Sequence, residues 1–211
     1  MLQRGFVKLE KKNYIEREVL DEIAYKISTL DKTRNNKIKQ SLRLEKYTDM
    51  WKVVTFILNV EAVIFVILSL SIGDKIHNSF NIVVSIFSIY VILIQYYVSD
   101  QKYGERALKA HYQQLSIEDL ILSLKNLLIM NNTEPSLVTK TNLINEFNKI
   151  MVEYQILLKN NENHSAFDFI SATNEKSSGK ISKDFTKDNL MIYANISFCI
   201  FVPILLLIMN V

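Results

Sequence analysis

Two apolar runs separated by only six residues constrain this chain more than any other feature. They cover residues 53–72 and 79–98, each 20 residues long, with GDKIHN between them. At about 1.5 Å of rise per residue, a helix of that length crosses a hydrocarbon core of about 30 Å. A helix also satisfies its own backbone polar groups, which hydrocarbon cannot do. We therefore predict two transmembrane helices, joined as a tight antiparallel hairpin within residues 51–99.

A third apolar run, LMIYANISFCIFVPILLLIM, occupies residues 190–209. Its length predicts a C-terminal transmembrane helix within residues 190–211, and Pro203 is tolerable there because neighbouring helices can cover the freed carbonyl. The alternative is a tail that lies in the membrane interface or packs against the hairpin. Residues 171–189, before this run, are charged and rich in Ser and Lys, which predicts a linker.

The remainder of the chain is polar but contains few residues that break helices. Only four Gly and two Pro occur among 211 residues. This predicts an all-α membrane protein with a transmembrane helical hairpin, a cytoplasmic helical bundle and a C-terminal transmembrane helix. Residues 1–52 carry 13 Lys/Arg against 8 Asp/Glu, which favours a cytoplasmic N-terminus. We assign residues 1–50 to cytoplasmic helices with a break near residues 31–36, and residues 100–170 to further cytoplasmic helices.

An a/d heptad seam follows the hairpin. Its members step by 4–3–4–3–4–3–4 over almost four heptads: Tyr103, Ala107, Ala110, Gln114, Ile117, Ile121, Leu124 and Leu128. A seam of this kind predicts a helix that contacts a partner, so we expect a homo-oligomer held together through it. The competing expectation is that a helix over residues 135–158 covers the seam within one chain.

Polar and small residues recur on one face of each hairpin helix. The first set is Thr55, Asn59, Ala62 and Ser69, and the second is Asn81, Ser85, Ser88 and Gln95, both at intervals of 4, 3 and 7 residues. Each set falls within about 80° of arc on an ideal helix. Such faces are typical of helix–helix contact. The functional interpretation is a pore or wet crevice lined by these faces in an oligomer. The two interpretations are compatible if only one of the two sets lines the pore.

Glu61 is the single carboxylic acid inside a span. It lies more than about 90° from the centre of the polar set of its own helix. A charge at mid-bilayer costs about 2.5–3.5 kcal/mol on insertion scales. An acid there suggests an ion path, a buried partner, or a protonated carboxyl bonded to another helix. The plain alternative is a protonated or snorkelling residue without a function.

The sequence contains no constellation typical of an enzyme. Its three histidines, His77, His111 and His164, stand apart, and its single cysteine, Cys199, lies in an apolar run. It contains no glycine-rich phosphate loop, metal-spaced cluster or nucleophile elbow. We therefore expect neither enzymatic activity nor a metal or other cofactor. The net charge of +3 is too small to indicate direct nucleic-acid binding.

The densest polar cluster follows the helix that contains Tyr154. It comprises Glu162, Asn163 and His164, with Asp168 four residues later. Asn and His readily cap a helix C-terminus, so a capping and docking role is the simpler interpretation. A ligand site is the alternative, although no phosphate-binding loop supports it.

Together these segments resemble the SLATT family, the SMODS and SLOG-associating two-transmembrane effector domains. The resemblance rests on a basic helix before the hairpin (NNKIKQSLRLEKYTDMW), a long helix after it (YGERALKAHYQQLSIEDLILSL) and a closing helix ending in YQILLKNNENHSAFD. It covers about residues 15–170, so the third span departs from the two-span pattern. Its most specific part is the signature of Tyr154, Glu162, Asn163, His164 and Asp168.

The resemblance implies a bacterial immune effector that forms membrane pores and so kills or arrests an infected cell. It also implies a partner encoded nearby that generates or senses nucleotides, or a reverse transcriptase. We therefore expect an oligomer among the lipids of the bacterial inner membrane. It would permeabilise or depolarise that membrane when triggered by a nucleotide signal or a partner protein. The rival hypothesis is a non-conducting scaffold that anchors a partner through the helices of residues 103–170.

Overall fold

The computed structural model describes residues 17–72, 78–133, 139–159, 162–163, 165–178 and 183–209. Within these residues all regular structure is α-helical, as the sequence predicts. The helices are α1 (Val19–Ile72), α2 (Asn78–Gln101), α3 (Tyr103–Thr133), α4 (Lys140–Lys159), α5 (Ala166–Ser178) and α6 (Lys187–Met209).

Helix α1 runs for 54 residues, from the polar N-terminal segment through the first apolar run. The break predicted near residues 31–36 is therefore wrong. Neither Gly nor Pro occurs in this helix, and its polar residues find partners one turn away. Arg34 pairs with Asp31 at 2.8 Å, and the Thr33 hydroxyl donates to the carbonyl of Thr29 at 3.1 Å. Such i,i+3 and i,i+4 contacts let polar residues continue a helix that their composition alone would not favour.

A single residue separates α2 from α3. Lys102 has a φ of 49°, in the left-handed region, and the backbone N–H of Arg106 donates to its carbonyl at 3.0 Å. The helix predicted to continue out of the second span is thus two helices, and α3 extends for 31 residues.

The chain divides into two compact units, and α1 and α3 contribute residues to both. We call Met1–Gln40 with Lys109–Ser178 the polar unit, and Ser41–Leu108 with Gly179–Val211 the membrane unit. The core of the polar unit forms where α1, α3 and α4 meet. Its buried residues are Ile23, Leu30, Ile117, Leu120, Ile121, Leu124 and Leu143. The apolar face of α4, including Phe147 and Ile150, packs against this core.

The heptad seam of α3 is buried inside the chain. In the polar unit Ile117, Ile121 and Leu124 belong to the core just described, and in the membrane unit Tyr103 and Ala107 belong to that unit's core. The structure therefore shows the intrachain alternative.

The membrane unit is built on α1, α2 and α6, each with a stretch that is long and apolar enough to cross a membrane by length and composition. Helix α6 packs along the hairpin with a stripe of alternating three- and four-residue steps: Ile192, Asn195, Cys199, Val202 and Leu206. The ring of Phe198 stacks on Phe87 of α2 at 5.9 Å between centroids. Helix α6 is consistent with the predicted C-terminal transmembrane helix, and its packing against the hairpin is also the contact that the alternative expected.

The linker predicted over residues 171–189 is shorter than expected, because helices extend into it from both sides. Helix α5 continues to Ser178, and α6 begins at Lys187. Thr186 caps α6, since its hydroxyl oxygen accepts from the backbone N–H of Asn189 at 3.4 Å. Residues 179–182 lie outside the described residues.

Candidate functional site

The two polar sets of the hairpin meet across α1 and α2. Gln95 Nε2 donates to Asn59 Oδ1 at 2.5 Å, and Ser69 Oγ donates to Asn81 Oδ1 at 2.6 Å. Because the hairpin is antiparallel, the second pair lies toward the connection between the helices and the first pair lies away from it. We call the surface formed by both sets the polar face; its members are Thr55, Asn59, Ser69, Asn81, Ser85, Ser88 and Gln95.

The hydroxyl groups of the polar face are bonded to their own helices. Thr55 donates to the carbonyl of Trp51 at 2.7 Å, and Ser85 to that of Asn81 at 2.8 Å. Ser88 bonds back to α2 in the same way, at 2.9 Å. This i−4 bonding is the usual way in which a helix hides Ser and Thr hydroxyls from hydrocarbon.

The polar face nevertheless remains open on its outer side. Asn59, Asn81 and Ser85 are exposed, whereas Ser69 and Gln95 are partly buried. The amide groups therefore satisfy one another only in part, and some of their donors and acceptors point away from the chain. Helix–helix contact explains part of the polar face, and its exposed part needs a further covering.

Glu61 lies on the other flank of α1, as its angular position predicts. It lines a cavity of about 650 Å³ between α1 and α6, with Ile57 on its own helix and Cys199 and Ile200 on α6. Its Oε2 atom is buried without a hydrogen-bond partner within the described residues. A carboxyl oxygen with no partner in an apolar setting is costly, so this site is incomplete in the single chain.

The signature residues occupy several positions around α4 and α5 in the polar unit. The Tyr154 hydroxyl lies 3.3 Å from that of Thr33 on α1. Asp168 is fully buried, whereas Glu162 and Asn163 are exposed. His164 lies outside the described residues. The structure thus uses Tyr154 and Asp168 for internal contacts, and the exposed pair remains accessible.

Asp168 caps the N-terminus of α5, whereas the C-terminal capping that we expected of Asn and His in this cluster stays a prediction. Its Oδ2 atom accepts from the backbone N–H of Ser165 at 3.0 Å and from its hydroxyl at 2.8 Å. In return the backbone N–H of Asp168 donates to Ser165 Oγ at 3.2 Å. This reciprocal pair is a capping box in which Asp takes the place usually occupied by Glu or Gln.

Lys37 is a site residue that the sequence analysis missed. Only 2% of its surface is exposed, and its Nζ atom donates to Gln40 Oε1 at 2.9 Å and to the backbone carbonyl of Glu162. Burial lowers the pKa of Lys37, while the charges of Glu162 and Asp168 oppose that shift. Lys37 therefore ties the segment between α4 and α5 to α1. The available signal was its position seven residues after Leu30, on the buried stripe of α1.

A second polar cluster, also missed, holds the start of α6 in the membrane unit. The buried Tyr47 hydroxyl donates to Asp184 Oδ2 at 2.6 Å and lies 2.5 Å from the hydroxyl of Thr186. Burial and the bond to Asp184 raise the pKa of Tyr47 to about 12. Further along α6, Asn195 Oδ1 accepts from the hydroxyl of Tyr90 at 2.7 Å. Helix α6 is therefore bonded as well as packed to the hairpin.

The part of the chain that the structure describes contains no group of three His, Cys, Asp or Glu side chains able to hold a metal ion. His111 is exposed on α3, where its Nδ1 lies 3.2 Å from the Gln114 amide. His77 lies outside the described residues. Among the described residues, the arrangements that bring polar groups together are the polar face, the Glu61 cavity and the contacts of Lys37.

The chain matches a family model described as SMODS and SLOG-associating 2TM effector domain family 5, over residues 18–211. The chain belongs to this family. The predicted resemblance to SLATT proteins is thus confirmed, and the match extends beyond the predicted residues 15–170. It includes α6, although the description mentions two transmembrane segments. SLATT is described as an effector domain and not as an enzyme family, and no curated protein or solved structure matches this chain.

Proposed function

We propose that this SLATT chain is a membrane effector of bacterial anti-phage defence, which assembles in the inner membrane and permeabilises it when triggered. The family description, an effector domain with transmembrane segments, supports the general class. The basic excess before the first span supports a cytoplasmic N-terminus, with the polar unit on the same side. In this proposal the polar unit receives the trigger, which is a nucleotide signal or a partner protein encoded nearby.

The observation that carries the proposal is the exposed part of the polar face. Ser69 bonds only the oxygen of the exposed Asn81 amide, so in a single chain the Asn81 N–H groups would meet hydrocarbon. A polar group without a partner there costs several kcal/mol, on the order of 2–7. Copies assembled around this face would cover it with protein or water instead. A ring of such faces borders a path for ions, which is how a hairpin without a charged channel can conduct.

A second apolar stripe on α3 supports assembly outside the membrane. Leu115, Leu122 and Ile129 are spaced by seven residues and are all exposed, unlike the buried seam on the same helix. An apolar heptad stripe open to water favours contact with another helix. This stripe takes the place of the buried seam in our expectation of a homo-oligomer.

The same stripe also favours the second candidate function, a non-conducting scaffold. In that case a partner protein, and not a second copy, covers Leu115, Leu122 and Ile129. The two functions differ in whether ions cross the membrane, so conduction is the property to measure.

The test is induced expression with the neighbouring genes present, with the membrane potential followed by a dye. The wild-type chain should depolarise cells. A variant with Ser85→Leu and Ser88→Leu should remain in the membrane and lose depolarisation and toxicity. The matched control carries Ile86→Leu and Ile89→Leu, on the exposed apolar side of α2 at the same depth, and should behave as the wild type. If activated wild-type protein neither depolarises cells nor leaks dye from liposomes, the scaffold is the better hypothesis.

Topology is tested separately with single cysteines in a Cys199→Ser background. One replaces Asn78 at the start of α2, and the other replaces Asn210, which lies outside the described residues. Both should react with a membrane-impermeant thiol reagent in whole cells. Protection of the cysteine at position 210 alone would contradict a spanning α6.

A further inference from the structure

The cavity beside Glu61 is an incomplete polar site at one flank of the membrane unit. One carboxyl oxygen is buried without a partner, and the neighbouring lining residues Ile57, Cys199 and Ile200 offer no strong hydrogen-bond donor. Ile200 is exposed, so the cavity is reached from outside the unit. Among the described residues, the side chains that line the cavity therefore do not supply the missing donor.

The opposite flank of the same unit offers donors that are only partly used. Gln95 Nε2 carries two N–H groups, and Asn59 Oδ1 accepts one of them. Asn59 itself donates to the carbonyl of Thr55 at 2.8 Å and is exposed. One flank thus lacks a donor, and the other holds a spare donor.

The two flanks lie at the same depth in the membrane. Glu61 and Asn59 are two residues apart on α1, which is about 3 Å along the helix axis. Gln95 is hydrogen-bonded to Asn59 and so shares this level. Rotation about an axis normal to the membrane leaves depth unchanged. In any ring of copies around such an axis, Glu61 of one chain can therefore meet the Asn59–Gln95 edge of the next.

We propose that the Glu61 cavity is the docking site for the Asn59–Gln95 edge of a second copy of this chain. The spare Gln95 N–H of one copy donates to the Glu61 carboxyl of its neighbour. The inference rests on the proposed assembly of copies in the membrane and deepens it by naming the contact. Because the two surfaces differ, the interface is heterologous and head-to-tail, the kind that closes into rings.

A lipid acyl chain is the competing occupant of the cavity. It would fill the apolar lining but provide no donor, and the Glu61 carboxyl would remain without a partner. An edge that carries amides removes two unfavourable features. Its N–H group gives the Glu61 carboxyl a hydrogen-bond donor, and the contact covers the exposed Asn59. The second copy is therefore the better fit to the chemistry of the cavity.

Cross-linking between two tagged populations of full-length chains tests the contact, with Cys199→Ser in both. One population carries Ile200→Cys at the cavity, and the other carries Ile92→Cys, one turn from Gln95. The control replaces Ile92→Cys by Leu93→Cys, which is equally exposed but turned by about 100°. A short bifunctional thiol reagent should join the first two populations at least tenfold more than the control pair. Products within one population would indicate a symmetric interface and overturn the proposal, as would a yield equal to that of the control.

Two substitutions of Glu61 test the hydrogen bond itself. Glu61→Gln keeps a carbonyl acceptor and should preserve the cross-link, whereas Glu61→Leu should lower its yield about tenfold. An unchanged yield with Glu61→Leu would show that apolar filling, by lipid or protein, suffices. Depolarisation is measured in the same cells. Cross-linking without depolarisation would contradict only the pore, and depolarisation without cross-linking would contradict only this interface.

Discussion

The polar unit and the membrane unit place their polar and apolar groups in opposite ways. In the polar unit the buried seam of α3 forms the core, and a buried lysine, Lys37, is bonded to Gln40 and Glu162. In the membrane unit apolar side chains cover the surface, with Phe56 and Leu70 among the most exposed. The buried polar atoms of this unit that lack a hydrogen-bond partner within the described residues are Glu61 Oε2, Trp51 Nε1, Tyr103 Oη and Asn189 Oδ1. The exposed part of the polar face adds further polar groups to its surface.

This difference shows where each unit can still form contacts. A unit that faces water keeps most of its polar groups at the surface and provides partners for most of those that it buries, because an unpaired buried charge is destabilising. In a unit that faces lipid, the exposed apolar side chains are already in an apolar medium and gain little from further burial. Only its polar groups and close packing can therefore drive association. Each unit therefore keeps a different kind of surface for further contacts: the apolar stripe of α3 in the polar unit, and the polar face and the Glu61 cavity in the membrane unit.

The sharpest test of this comparison uses two neighbouring residues of α3. Ile121 is 2% exposed and Leu122 is 47% exposed. Ile121→Asp should lower the free energy of unfolding of the polar unit by about 4 kcal/mol or more, because it buries an unpaired carboxylate in the core. Leu122→Asp should change that free energy by less than about 0.5 kcal/mol and reduce oligomer size in detergent. Denaturant unfolding and size-exclusion chromatography measure the two effects.

Two results would contradict these roles of Ile121 and Leu122. If Ile121→Asp dissociated oligomers while each chain stayed folded, the seam would be an interface between copies and not a core. If Leu122→Asp left the oligomer intact, the exposed stripe on α3 would belong to a partner protein or to no contact at all.

The next effect concerns the buried lysine of the polar unit. Lys37→Ala should cost about 3 kcal/mol of unfolding free energy. Gln40 Oε1 and the backbone carbonyl of Glu162 would lose a buried charged donor, and the carboxylates of Glu162 and Asp168 would lose a nearby positive charge. Lys149→Ala is the control, since its pair with Glu146 is exposed and should contribute less than about 0.5 kcal/mol. Equal losses in the two variants, measured by denaturant unfolding, would show that the Lys37 contacts are not coupled to the fold.

Much of the membrane unit could be predicted from the sequence, because hydrophobic length and helical periodicity are local properties. The three apolar runs and the angular separation of Glu61 from the polar face follow from the spacing of residues alone. The contact of Tyr47 with Asp184 could not be predicted, since 137 residues separate them and Asp184 belongs to no periodic pattern. Lys37 was missed for another reason: a lysine in a basic helix looks solvated until the packing of α5 against it is known.

The cluster that holds α6 provides a pH-dependent test within the membrane unit. The pKa of Tyr47 is raised from 10.0 to about 12, so its neutral form is favoured in the fold. Its contribution to stability is therefore complete below about pH 10 and is lost as the pH rises toward 12. Tyr47→Phe should cost about 1 kcal/mol near neutral pH and remove this part of the alkaline loss. The emission of Trp51, the only tryptophan, follows unfolding from one turn away.

Tyr96→Phe is the control for this measurement, because Tyr96 is exposed at the end of the second span. It should leave both the stability and the alkaline transition unchanged. An alkaline loss that persists in full in Tyr47→Phe would assign the transition to other groups and would separate the anchoring of α6 from the Tyr47 hydroxyl.

The smallest expected effect is the coupling energy between two polar side chains that bond across the hairpin of the membrane unit. Ser69 and Asn81 bond across the hairpin at 2.6 Å. A double-mutant cycle of Ser69→Ala and Asn81→Ala should give a coupling of about 0.6 kcal/mol, because chains unfolded within a membrane also find partners for their polar groups. The cycle is measured by unfolding in detergent micelles. A coupling near 2 kcal/mol would mean that the hairpin itself uses these groups as strong bonds, leaving less of the polar face for a second copy. A coupling near zero would mean that both groups are held for contacts that form only in the assembly.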